Sequence, residues 1–145
     1  MFASYVVDTD VMVAAFRSSL GASRRLLLAA LERQFELLLS VPLILEYEAV
    51  LTRPLHLAAR GLTRAEVCRV LDDLAAIAQP VHLGSRWRLR LTDPDDDMVL
   101  ETALSGNASA IVTFSQRDFA TTAGNFHYRV ILPATAVQQI GRSNP

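Results

Sequence analysis

The chain has 145 residues, of which 51% are apolar, a formal charge of −1 and one cysteine. That length suits a single domain with a substantial core, the near-zero charge argues against an overall electrostatic trap for nucleic acid, and the lone Cys68 excludes an internal disulfide. No apolar run is long enough to span a bilayer and the N-terminus leads straight into a core-like strand, so a cytoplasmic setting and no membrane partner are expected.

All fourteen basic residues are Arg. Every mechanism that needs a lysine is thereby excluded.

Residues 5–7 (Tyr-Val-Val) form a short run of β-formers that stops at Asp8-Thr9-Asp10, and such a run reads as a buried strand of a parallel sheet. A helix is expected over residues 11–17 with Asp10 as its N-cap. Ligands of open α/β sheets gather at the carboxyl ends of strands, and Asp8 stands at that end without a capping duty. It is therefore the first candidate functional residue, the alternative being a solvated loop carboxylate.

After the break at Ser18-Ser19-Leu20-Gly21, residues 22–33 carry an apolar stripe through Leu26, Leu27, Ala30 and Leu31. Residues 35–39 are a second buried strand, and Pro42 heads a helix running to about Thr52. Glu46 and Glu48 lie about 200° apart on that helix, so one should face inward and the other outward. The apolar turn before Glu46 favours it as the inward one. The segment from Arg53-Pro54 to Gly61 reads as a connection. Thr63-Arg64-Ala65-Glu66 is a capping box opening a helix with Val67, Val70, Leu71, Leu74 and Ile77 inward, closed by Gln79-Pro80. Residues 81–83 are a candidate strand.

Arg86-Trp87-Arg88-Leu89-Arg90-Leu91 alternates strictly and places Arg86, Arg88 and Arg90 on one face. That face suits phosphates, with Trp87 available for base stacking, although the solvated side of a guarded edge strand is the plainer reading.

Thr92-Asp93-Pro94-Asp95-Asp96-Asp97 follows, with four carboxylates in five positions before a helix through Val99, Leu100, Ala103 and Leu104 to a C-cap at Gly106. Asp93 reads as the N-cap and Pro94 fits the first turn. Capping uses one acid or two, and the surplus repel one another unless a positive group lies near. One or two of them are thus candidates to hold a hard divalent cation. Residues 108–113 form the next buried strand, and Thr113, Ser115 and Asp118 hang from its carboxyl end. Residues 128–132 are a last strand, Pro133 opens a helix to about Ile140, and residues 141–145 are a tail.

Strands alternating with helices predict one α/β domain over residues 1–140, with a mostly parallel sheet. No Gly-rich phosphate loop follows the first strand, and the histidines and the cysteine lack zinc spacing. What remains is dispersed acid: Asp8, Glu46, Asp96 and Asp118. Oxygen-only sets select Mg²⁺ or Mn²⁺.

Val7-Asp8-Thr9-Asp10, Leu45-Glu46-Tyr47-Glu48-Ala49-Val50-Leu51-Thr52-Arg53-Pro54, Asp93-Pro94-Asp95-Asp96-Asp97, and Ile111-Val112-Thr113-Phe114-Ser115 with Asp118-Phe119 resemble, in that order, the motifs of the PIN-domain ribonucleases. More closely, they resemble the predicted toxin components of toxin-antitoxin pairs, the VapC-like group. The resemblance implies a three-layer sandwich, with helices on both faces of the sheet. It implies a Mg²⁺- or Mn²⁺-dependent endoribonuclease in which Asp8, Glu46 and Asp96 are the metal and catalytic acids, Asp118 is the candidate fourth, and Thr113 is the hydroxyl beside them. Ser115 joins the arginine ribbon as a candidate RNA contact. Implied partners are RNA, a cognate antitoxin protein and a second copy of the chain. Asp10 stands where the family usually has Asn, and Ser115 where it often has Asp or Asn, so the fourth acid is either missing or supplied by Asp118. Two rival readings remain. A receiver domain is opposed by the missing lysine, whereas a PIN-like module that binds RNA or protein without cutting is permitted by Ser115.

Overall fold

The computed structural model describes residues 2–83, 94–123 and 128–143, with residues 94–97, 121–123 and 143 described by backbone alone. The arginine ribbon, Trp87 and Asp93 lie outside the described residues. The described elements run β1 (Ser4–Val7), α1 (Thr9–Arg17), α2 (Ala22–Leu31), β2 (Glu36–Leu39), α3 (Val41–Leu51), α4 (Pro54–Arg60) and α5 (Arg64–Ile77). They continue with β3 (Gln79–Pro80), α6 (Pro94–Ser105), β4 (Ala110–Val112), α7 (Gln116–Ala123), β5 (Arg129–Ile131) and α8 (Pro133–Ser143).

The five strands form one sheet in the order β3-β2-β1-β4-β5. Every pairing is parallel, with Tyr5 opposite Leu37 on one side of β1 and opposite Ala110 on the other. The chain winds outward from β1 to β3 and then crosses back to lay β4 on the free side of β1. Right-handed crossovers moving in opposite directions place helices on both faces, which gives the expected three-layer α/β sandwich. The reversal leaves a switch point between β1 and β4, and in open α/β sheets ligands bind in the crevice outside the carboxyl ends of the strands at that point.

The three central strands are buried where their sequences are apolar: Tyr5, Val6 and Val7 on β1, Leu37, Leu38 and Leu39 on β2, and Ala110, Ile111 and Val112 on β4 are all core. The central helices deliver their predicted stripes, including Leu26, Leu27 and Ala30 on α2 and Val67, Leu71 and Leu74 on α5. No described helix is long and apolar enough to cross a membrane.

Several boundaries differ from expectation for identifiable reasons. The connection before Gly61 folds as α4, because Pro54 occupies its first turn and Gly61 adopts φ 64°, a left-handed cap. The edge strand is Gln79–Pro80 rather than residues 81–83, and a proline is tolerated there because β2 is its one partner among the described residues. At the end of α6 the left-handed turn falls on Asn107, with φ 54°, instead of Gly106. Gly106 answers to packing: a β-carbon there would lie 2.8 Å from Val81 Cγ2 and 3.0 Å from Leu38 Cδ1. The last helix continues to Ser143, three residues past its expected end.

Candidate active site at the sheet switch point

Asp8 follows the last residue of β1, and its N–H donates to Val112 O at 2.9 Å, so it is fixed between the strands that define the switch point. It is 6% exposed. Contrary to the expectation that Asp10 caps α1, Asp8 is the cap: its Oδ1 accepts from Thr9 N–H at 2.7 Å. The helix starts one residue after the strand, and Asp8 alone has the extended backbone (φ −66°, ψ 152°) that a cap requires. Its Oδ2 accepts from the Thr113 hydroxyl at 2.6 Å. Thr113 follows β4 directly and is fully buried. A short hydrogen bond across the switch point therefore joins Asp8 to Thr113.

Released from capping, Asp10 turns toward the loop after β4. Its Oδ2 accepts from Phe114 N–H and from Ser115 Oγ, each at 3.2 Å. Ser115 N–H in turn donates to Thr113 Oγ1 at 2.8 Å. Asp8, Thr113, Ser115 and Asp10 thus form a hydrogen-bonded chain linking both strand ends. The two aspartates also approach within hydrogen-bond reach of each other. Burial raises the Asp10 pKa above its ordinary value, opposed by the hydrogen bonds from Ser115 and Phe114. Its Oδ1 is buried and accepts no hydrogen bond among the described residues.

α3 brings the next acid. Ser40 caps it, accepting from Leu43 N–H at 3.3 Å, and Tyr47 on its inner face is fully buried and donates its hydroxyl to Val7 O. Burial, and then the nearby Asp8 charge, push the Tyr47 phenol well above its usual pKa, which keeps it a neutral donor. Glu46, the residue before Tyr47, is half-buried. Glu48 is not the purely outward residue expected: it is half-buried as well, and Cys68 Sγ on α5 lies 3.5 Å from its Oε1. The two acids leave α3 in different directions because a second helix covers the side opposite Glu46.

α6 runs into β4, so its first turn, which contains Asp96, lies at the carboxyl edge of the sheet; the Asp96 side chain lies outside the described residues. The helix is fixed by Thr102, which is fully buried, donates to Met98 O at 2.8 Å and lies 2.7 Å from Ser40 Oγ. Asp118 falls in the first turn of α7, where its N–H donates to Ser115 O at 3.0 Å and its side chain is exposed. Among the described residues no three His, Cys, Asp or Glu side chains converge.

The chain matches the PIN-domain family model over residues 4–117, from β1 into the first turn of α7. It is a PIN-domain protein. The match takes in Asp8, Glu46, Asp96, Thr113 and Ser115, while Asp118 lies one residue beyond it. No curated protein matches the chain. PIN domains are generally nucleases and typically use divalent metal ions. The donors here fit such an ion: they are oxygens, two of the carboxylates adjoin, and one buried oxygen of Asp10 accepts no hydrogen bond among the described residues.

Two residues of this PIN-domain site were not singled out from sequence. Tyr47 stands in the sequence only as a member of the Glu46 motif, and nothing in its spacing shows that its hydroxyl reaches the end of β1. Asp10 read as a cap; the signal that could have found it is the short step from strand to helix, which leaves one position for a cap and two aspartates near it.

Proposed function

We propose that this PIN-domain protein is a Mg²⁺- or Mn²⁺-dependent endoribonuclease and the toxin of a toxin-antitoxin pair. RNA is its substrate, and its partners are a cognate antitoxin protein and a second copy of the chain. The observation that carries the reading is the buried Asp8 at the switch point, hydrogen-bonded to Thr113 and adjoined by Asp10.

Asp8 and Asp96 would hold the cation, with Glu46 ligating directly or through water and Asp118 serving a second ion. When bound, the cation supplies an acidified water and offsets charge developing on the scissile phosphate. The chain's own residues orient and exclude. Thr113 donates to Asp8 Oδ2 and fixes the carboxylate's rotation, while Thr9 N–H holds the other oxygen. Tyr47 ties α3, and so Glu46, to the end of β1. Ser115 donates its N–H to Thr113 and its hydroxyl to Asp10, which ties the loop after β4 to the start of α1.

The second reading, a PIN-like module that binds RNA or protein without cutting, draws on the same feature: Ser115 stands where the family often has an acid, and Asp118 is exposed on α7. Incubating a mixed RNA pool with wild type and with Asp96→Asn, in Mg²⁺ or Mn²⁺ and again in EDTA, separates the two. The nuclease reading expects cleavage by the wild type alone, abolished by EDTA. A folded, metal-binding wild type that leaves every RNA intact would transfer the case to the binding module.

A further inference from the structure

We propose that Phe114 is a stacking platform for an unpaired base of the RNA, beside the carboxylate centre. The inference rests on the RNA-directed reading above and extends it to a residue that contacts substrate. Phe114 is 52% exposed, although Thr113 before it is fully buried and Phe119 on the following helix is core. Adjacent Cα atoms are about 3.8 Å apart, so the ring leaves the chain one step from the hydroxyl that holds Asp8.

Its backbone is fixed on both sides. Phe114 N–H donates to Asp10 Oδ2, Ser115 N–H to Thr113 Oγ1, and Asp118 N–H to Ser115 O. A half-exposed ring on so fixed a backbone contributes little to the core. Its backbone is preorganised to present the ring to something outside, at low entropic cost.

The surroundings favour a base over a protein partner. The residues that follow, Ser115, Gln116, Arg117 and Asp118, are polar, and Arg117 is exposed. Protein docking draws on contiguous apolar area, whereas one exposed aromatic ring with an exposed arginine in the next helical turn of the chain suits a base and its phosphate. Stacking tolerates any base, so the platform would orient the strand without dictating sequence.

The test is equilibrium binding of a short, labelled, mixed-sequence single-stranded RNA to the full chain, with Ca²⁺ in place of Mg²⁺ to suppress cutting. Phe114→Ala is expected to weaken binding about 5- to 100-fold. Phe114→Trp should retain the affinity and show quenching by RNA beyond any response of Trp87 in the wild type. Thermal midpoint and Mn²⁺ affinity should stay at wild-type values in both variants, which separates a lost platform from a damaged site. Wild-type RNA affinity in Phe114→Ala overturns the proposal. A wild type that binds RNA without ever cutting it removes the catalytic reading and leaves the platform standing; a wild type with no RNA affinity removes both.

Discussion

At the scale of single residues, Asp8 does two jobs with two oxygens. One caps α1 and the other accepts from Thr113, which holds the carboxylate in a single orientation at the switch point. Asp10 supports this arrangement from the far side through the Phe114–Ser115 turn. Removing its side chain leaves a backbone donor and a hydroxyl to find water, so Asp10→Ala should lower stability by about 1–3 kcal/mol, read from the denaturation midpoint. Asp10→Asn keeps an acceptor oxygen and should lose much less; equal losses in the two variants would show that the turn depends on the charge rather than on the acceptor. Tyr47→Phe deletes the hydroxyl that meets Val7 O and should cost about 1–2 kcal/mol by the same measurement, with no loss expected if that hydroxyl is idle.

Asp8 was legible from sequence because an acid directly after a short β-run can stand nowhere but at a strand end. The exchange of roles between Asp8 and Asp10 was not. Whether a helix begins one residue or three after a strand depends on how β1 meets β4, a contact more than a hundred residues away in the chain.

At the scale of elements, the site is assembled by joints between helices. Ser40 caps α3 and meets the buried Thr102 of α6, so one pair of hydroxyls sets α6 against α3. Thr102→Val should cost about 1–2 kcal/mol in thermal or chemical unfolding, and a neutral result would mean that the two helices are located by apolar packing alone. Gly106 is a second joint. Placing a β-carbon 2.8 Å from Val81 and 3.1 Å from Thr102 O, Gly106→Ala should destabilise by about 1–3 kcal/mol; an unchanged midpoint would show that the turn gives way easily.

The capping box of α5 offers a pH test. Glu66 is held below its usual carboxylate pKa chiefly by the Thr63 backbone N–H, with the Thr63 side chain second. A depressed folded value means stability that is present above the unfolded value of 4.5 and lost as pH falls through the folded one. Glu66→Gln should accordingly flatten the wild-type decline in stability below that pH, and an identical decline in both proteins would assign it to other acids. Periodicity and caps made these helices readable in advance, the box at Thr63 most clearly. α4 was missed because its seven residues, Pro54–Arg60, bury none of their side chains and so show no stripe.

At the scale of the whole molecule, the order β3-β2-β1-β4-β5 is what gathers distant residues. Asp8, Ser40 and Thr113 follow the carboxyl ends of β1, β2 and β4, and the first turn of α6 reaches the same edge. Alternating strands and helices announced the parallel sheet, and four short motifs in order announced the family. The strand order, and with it the crevice, follows from the chain reversing direction after β3, which local pattern does not encode.

The central claim is that the acids around Asp8 form a cation centre, and the most direct measurement is calorimetric titration of Mn²⁺ into the full chain and into Asp8→Asn. Asn can still cap Thr9, so the variant should fold, which its unfolding curve will verify. The wild type is expected to bind Mn²⁺ and the variant to bind at least about tenfold more weakly, since it loses a charged oxygen ligand. Equal Mn²⁺ affinity in the two folded proteins, or none in either, would contradict it.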